Sequence, residues 1–161
     1  MGTATEGIVD RNALRSNQAL IIITLLLAFL MDSVLLMGLT MALLWFGTAL
    51  GTQAFRWFYV GVLRPLRLVR PDPVPDHPEP HRFAQGLGGA FLAAAVLLLI
   101  VGSSIIGWAL VWLVIVLAAV NLFLGFCAGC FVYYWLARLQ IPGFTHSPPA
   151  GTPPGLRPPH P

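Results

Sequence analysis

Residues 19–50 read ALIIITLLLAFLMDSVLLMGLTMALLWFGTAL, an apolar run whose one charged side chain is Asp32, followed at once by Ser33. A single helix through this run would carry a lone carboxylate into hydrocarbon, which costs several kcal/mol. The run therefore divides at Asp32 into two spans of about 20 residues, the length a bilayer needs. Helix one is expected over 13–31 and helix two over 34–55, with Asp32 or Ser33 supplying the N-cap oxygen of the second at a tight outer turn. Arg11 and Arg15 ahead of the first run give it the look of a signal peptide. No small-x-small cleavage site follows before the next apolar run, so the segment reads as a retained helix.

A second apolar block, 83–136, is interrupted by Gly102, Ser103 and Ser104. Cut there, it gives helix three over 83–101 and helix four over 105–136, with Ser103 or Ser104 as N-cap. Helix four would reach about 48 Å at 1.5 Å per residue, so its last turns must tilt or leave the hydrocarbon. Phe131, Tyr133, Tyr134, Trp135 and Arg138 have the composition of an interfacial belt at that exit, as do Arg56 and its aromatic neighbours within 53–63. Between the blocks, 64–81 holds six prolines and reads as an extended, polyproline-like loop. The tail from 142 onward holds eight prolines in twenty residues and too little apolar bulk to fold alone.

Composition agrees with spans rather than a water-soluble globule: 57% of residues are hydrophobic and 9% charged, with a mean hydropathy of +0.80, against about a quarter charged in soluble domains. The net charge of +3 comes from nine arginines, no lysine and six acids. With four spans all nine arginines fall on one side, which the positive-inside rule makes cytoplasmic. Anionic lipid headgroups are the partner this implies; nucleic acid is not, because no soluble basic patch with exposed aromatics is present. The fold expected is an all-α membrane protein of four transmembrane helices in two helical hairpins. It has a Pro-rich cytoplasmic loop, a membrane domain over 7–144, a disordered Pro-rich tail over 145–161 and both termini cytoplasmic. Small residues at Gly86, Ala90 and Ala94, at Gly89 and Ala93, and at Gly125 and Gly129 make helices three and four expected neighbours, and a homodimer seam would use the same faces.

Chemistry concentrates at Cys127 and Cys130, the chain's two cysteines, in the order Cys-Ala-Gly-Cys. A pair at this spacing can form a redox disulfide, accept a sulfane sulfur or provide two soft metal ligands; it can equally be two small buried apolar residues. Late in helix four, the dipole would disfavour thiolate and helical geometry would strain the bond, unless Gly125 and Gly129 permit a local break. His77 and His81 lie four apart in the loop ahead of helix three, beside Asp76 and Glu79. The topology brings His81 to the side of the thiols, so a mixed Cys/His site is conceivable; Pro78 and Pro80 work against a helical His-x-x-x-His pair. Asn17, Gln18, Gln85 and Asn121 are the other polar groups in or near spans, and interhelical hydrogen bonding accounts for such residues. No phosphate loop, Ser/His/Asp set, carboxylate pair or intramembrane proton relay is visible.

Several short stretches stand out together: Val9-Asp10-Arg11-Asn12 with Arg15 and Asn17-Gln18, then Arg64-Pro65, then the run from Pro80 through His81, Arg82 and Gln85 to Gly86, and Asn121 through Cys127-Ala128-Gly129-Cys130. In combination they resemble one family of bacterial membrane proteins, the domain of unknown function 4395. The resemblance spans about 7–144 and leaves out the Pro-rich tail. It implies a four-helix protein of the bacterial plasma (inner) membrane with no established activity, at times accompanied by thioredoxin-like or sulfurtransferase proteins. It raises the thiol reading and singles out His81, Arg82 and Gln85 over His77. The function expected is a thiol-redox or sulfur-relay membrane component using Cys127 and Cys130, with His81 as base and Arg82 lowering a thiol's pKa by its charge. The alternative is a non-catalytic assembly subunit in which the cysteines only pack. Cofactor, metal and substrate stay unassigned.

Overall fold

The computed structural model describes residues 8–67, 69–148 and 151–157; residue 7 and parts of the 145–161 tail lie outside them. The Asp32 turn forms as its chemistry demands. Helix α1 (Arg11–Leu30) ends there and α2 (Val34–Ala49) begins with the Ser33 hydroxyl accepting the Leu36 amide at 3.2 Å. Asp32 itself has φ of 47°, a left-handed conformation that Asp tolerates better than most residues. At its other end α1 is capped by Asp10, one carboxylate oxygen accepting the Asn12 and Ala13 amides.

Helix α2 stops at Ala49, six residues short of the expected 55, because the chain turns at Gly51 with φ of +69°. A short helix α3 (Arg56–Phe58) and a π-helical turn (Tyr59–Leu63) follow. The Pro-rich connection then contributes something sequence did not foresee: strand β2 (Pro73–Pro75) pairs antiparallel with β1 (Ile8–Asp10), Val9 opposite Val74. Both valines are buried. Prolines permit this because a two-stranded ribbon leaves one edge of each strand unbonded.

Helix α4 (Pro78–Ile100) starts five residues earlier than expected. Pro78 and Pro80 fall in its first turn, where amides have no intrahelical acceptor to lose, so the prolines open the helix instead of preventing it. Helix α5 (Ser104–Leu124) follows the expected break after Ile100. The overlong fourth helix is not continuous. Gly125, at φ of +68°, ends α5, and a separate helix α6 (Ala128–Arg138) begins after Cys127.

Helices α1, α4 and α5 are long and apolar enough to cross a membrane. The apolar α2, at 16 residues, spans about 24 Å against a hydrocarbon core of about 30 Å. The bundle closes as a ring: α1 packs on α2 and α5, and α4 packs on both as well, with α6 laid against α4. Leu25, Met37, Leu44, Leu92 and Val111 fill the centre. Outside, Leu35, Phe123 and Ile105 are more than 70% exposed. Bare apolar side chains in such number fit a lipid-facing surface. Small residues do bring helices close: α4 packs on α5 and α6 as expected, while its Gly89 faces the Trp45 ring and its Gly86 the Thr48 methyl, both on α2, a further neighbour not expected for these glycines. Close approach by α6 is through Gly129, where an added Cβ would sit 2.5 Å from that of Ala84 on α4.

Candidate functional site

The break at Gly125 changes the chemistry of the cysteine pair. Cys127 has extended backbone (φ −102°, ψ 104°) and is the N-cap of α6, its sulfur accepting the Cys130 amide at 3.2 Å. Both cysteines therefore lie at a helix N-terminus rather than late in a helix, and the dipole and free amides there favour a thiolate. Cys130 sits one turn further, and both are free thiols.

His81 reaches this pair because α4 begins at Pro78, putting the ring in the helix's first turn against α6. Its Nδ1 lies 3.5 Å from the Cys130 sulfur, and its Nε2 lies 2.9 Å from a carboxylate oxygen of Asp76. Asp76 is buried, and its second oxygen accepts the His77 amide at 2.8 Å. Nε2 carries the hydrogen that bridges to Asp76, which leaves Nδ1 as the ring atom that exchanges a proton with the sulfurs. One nitrogen of His81 and the two sulfurs all lie within 4.8 Å of one another.

The two thiols are driven apart in acidity. Cys127 is held well below the ordinary thiol range, first by the hydrogen bond from Cys130 and further by His81, against the opposing effect of burial. Cys130, the donor of that bond and itself buried, is pushed well above it. One thiolate shared by two sulfurs, and centred on Cys127, is the physical content of this split.

A cavity of about 480 Å³ opens between α1, α4, α5 and the 51–64 connection. Asn17, Gln18, His81, Arg82, Gln85, Asn121 and Cys127 all line it; Cys130 does not. Most of these polar groups have definite work in the fold. The Gln85 amide nitrogen donates to Leu44 O, Thr48 Oγ1 and Thr52 O while its oxygen accepts the Ala54 amide. The Asn17 oxygen accepts the Phe55 amide at 3.0 Å. Together they tie down the irregular chain after α2. Arg82, in the wall of the same cavity, donates its guanidinium to Thr48 O and packs on Gly51.

Three contributors escaped sequence reading. Asp76 looked like one acid among several in a loop. Tyr59 donates to Asp10 at 2.7 Å and closes the cavity's N-terminal side. Arg157, from the tail read as disordered, donates to Asn121 Oδ1 at 2.7 Å. Its segment, 151–157, lies across the break after α5: the Cys127 amide donates to Gly155 O at 2.7 Å, and Phe126 pairs with Leu156. His77 caps α4 and does not join the thiols; its ring packs on His146, with centroids 4.5 Å apart.

No curated protein and no solved structure matches this chain. A family does, over residues 9–138, and the stretches that carry the resemblance are those that converge on the cavity and the cysteine turn. The chain belongs to the family described as Domain of unknown function (DUF4395).

Proposed function

We propose that the protein is a membrane thiol-redox component in which Cys127 and Cys130 alternate between dithiol and disulfide. The observation that carries this is the placing of Cys127 at the N-terminus of α6 while the Asp76–His81 pair faces Cys130. In that arrangement Cys127 is the nucleophile. Once its sulfur has reacted, Cys130 attacks it, and His81 Nδ1 takes the Cys130 proton. The same nucleophile could carry a sulfane sulfur, and a sulfur relay is the variant of this reading that uses Cys127 alone in its first step.

Arginine placement supports an orientation with four spans and both termini cytoplasmic, α2 completing its span by local thinning of the bilayer. The cysteine turn then lies at the cytoplasmic boundary. Fusions of a reporter to the 64–77 connection test this; a periplasmic signal there overturns it.

The redox reading is tested on purified protein in lipid vesicles. After reduction, a small disulfide is added, and a maleimide of known mass counts the thiols that remain. Two alkylated thiols before and none after is the expected result, with Cys127→Ser leaving Cys130 unable to form the bond. Two thiols that stay alkylatable at equilibrium would refute the reading. A stoichiometric transition metal in the same preparation would replace it, since the His81 nitrogen and both sulfurs are close enough to ligate one ion.

A further inference from the structure

The cavity is longer than a thiol site needs. Its wall runs from Asp10 at the head of α1 to Ile21, and from His81 at the head of α4 to Phe91. Ten residues of helix are about 15 Å, half of a hydrocarbon core of about 30 Å. The mouth is polar and carries Arg56 and Arg64; the inner half is walled by Ile21, Leu44, Phe91 and Val114. At about 480 Å³ it falls in the range of about 300–1,000 Å³ typical of sites for small organic ligands. A ligand with a polar ring and an apolar chain fits this shape, ring at the mouth and chain toward the bilayer interior.

What that ligand must do follows from the sulfurs. Cys127 is 5% exposed and Cys130 3%, so neither is presented on the surface to a macromolecular disulfide. The cavity is lined by Cys127 and not by Cys130, so it is the approach to the nucleophilic sulfur. Closing the disulfide gives up two electrons and two protons. An occupant meeting Cys127 must accept both.

We infer that the cavity binds a lipid-soluble quinone that oxidises the Cys127–Cys130 dithiol, a step that rests on the thiol-redox reading above. The Cys127 thiolate adds to a ring carbon, and a ring oxygen takes up from His81 Nδ1 the proton that Cys127 had given up. Cys130 then attacks the Cys127 sulfur, its proton passing to His81 Nδ1. The S–S bond forms, the C–S bond breaks, its electron pair leaves with the ring, and the second ring oxygen takes the Cys130 proton from His81 Nδ1. In sum, dithiol and quinone become disulfide and quinol, with two electrons and two protons transferred. Arg56 and Arg64 at the mouth favour the negative charge that builds on the ring oxygens.

The test uses the full chain, reduced, in lipid vesicles, with a short-chain ubiquinone and a short-chain menaquinone as probes. Quinone absorbance and maleimide counting are followed together. One quinone consumed per disulfide formed is expected for at least one probe. The informative variant is Gly88→Leu: Gly88 lines the cavity and a Cβ there meets no atom within 4 Å, so the added side chain takes ligand space without a clash. Its quinone-dependent rate should fall by about tenfold or more. Gly38→Leu, on α2 away from the cavity and equally free of clashes, should leave the rate unchanged. If Gly88→Leu does not fold, a redox-inert ring analogue serves instead, and should protect Cys127 of the unaltered chain from maleimide.

A pair that a small disulfide oxidises but neither quinone does overturns the inference and leaves the thiol reading standing. A pair that nothing oxidises overturns both. Quinone turnover undiminished by Gly88→Leu, or a ring analogue that gives no protection, places the reaction elsewhere and overturns the cavity assignment.

Discussion

Replacing Asp76 with Asn changes one oxygen to nitrogen at a buried position and isolates the role of the carboxylate. In the native site Asp76 accepts from His81 Nε2 at 2.9 Å and, through its other oxygen, from the His77 amide at 2.8 Å. An amide can keep the second bond. It can satisfy the first only by turning its NH2 toward Nε2, which moves the ring hydrogen to Nδ1 and turns the face opposite Cys130 from acceptor to donor. Positioned proton transfer contributes about 10²–10⁴ in rate. Losing the lower figure in Asp76→Asn is a barrier increase of about 2.7 kcal/mol, at about 1.36 kcal/mol per decade. The assay is the rate of disulfide formation from reduced protein, quenched with acid and counted by alkylation, beside a thermal midpoint in detergent. About a hundredfold slower closure with a nearly unchanged midpoint is expected. Because Asp76 acts through His81, the Asp76→Asn, His81→Ala double variant should be no slower than His81→Ala alone. Native rates in both single variants would refute the relay.

Three further outcomes follow from individual contacts. Gly129→Ala brings a Cβ to 2.5 Å from Ala84 Cβ and 2.6 Å from its Cα. Backbone on α4 cannot yield, so α6 must shift, costing about 1–3 kcal/mol, read as a lower thermal midpoint with slower disulfide closure as Cys130 leaves His81. Tyr59 has its pKa pushed up to about 12 by burial and by its bond to the Asp10 carboxylate, from an ordinary 10.0. A pKa raised on folding stabilises fully below the unfolded value and is lost as pH climbs through the folded one, so the thermal midpoint should fall between pH 10 and about 12. Tyr59→Phe should lack that step and be less stable below it. Ending the chain after residue 148 removes Gly155 O from the Cys127 amide and Arg157 from Asn121; a polar maleimide should then label Cys127 several-fold faster, and equal labelling would show that the tail segment gives no cover.

Much of the bundle was legible because lipid leaves few options: Asp32 and the 102–104 interruption mark where apolar runs must turn, and both do. What sequence misjudged lay where local signals conflict. Prolines at 78 and 80 speak against helix in general, yet cost nothing in a first turn, so His81 became helical and reached the thiols. Residues 105–136 give no polar signal at the α5–α6 break; Gly125 was visible only as a residue that would allow one. Strand β2 is written in prolines, which ordinarily signify the opposite. Asn17, Gln18, Gln85 and Asn121 were legible as polar groups in apolar surroundings, and they meet at one cavity. Asp76 and Arg157 were not, because charge in a loop or a tail is ordinary until a partner is seen.

The break after α5 also explains why a proline-rich segment docks where it does. Ending one helix and starting another within three residues strips backbone groups of their intrahelical partners. Such groups are expensive to leave bare wherever water is excluded. Residues 151–157 supply what is missing: Gly155 O takes the Cys127 amide and the Arg157 amide reaches Gly125 O. Proline, poor at bonding itself into helices, leaves carbonyls of neighbouring residues free for this. The price of placing a cysteine at a helix N-terminus is thus met by a segment that has no fold of its own. Cys127 gains dipole and amide without a continuous helix, its backbone held by the tail segment and its residue part of the cavity wall.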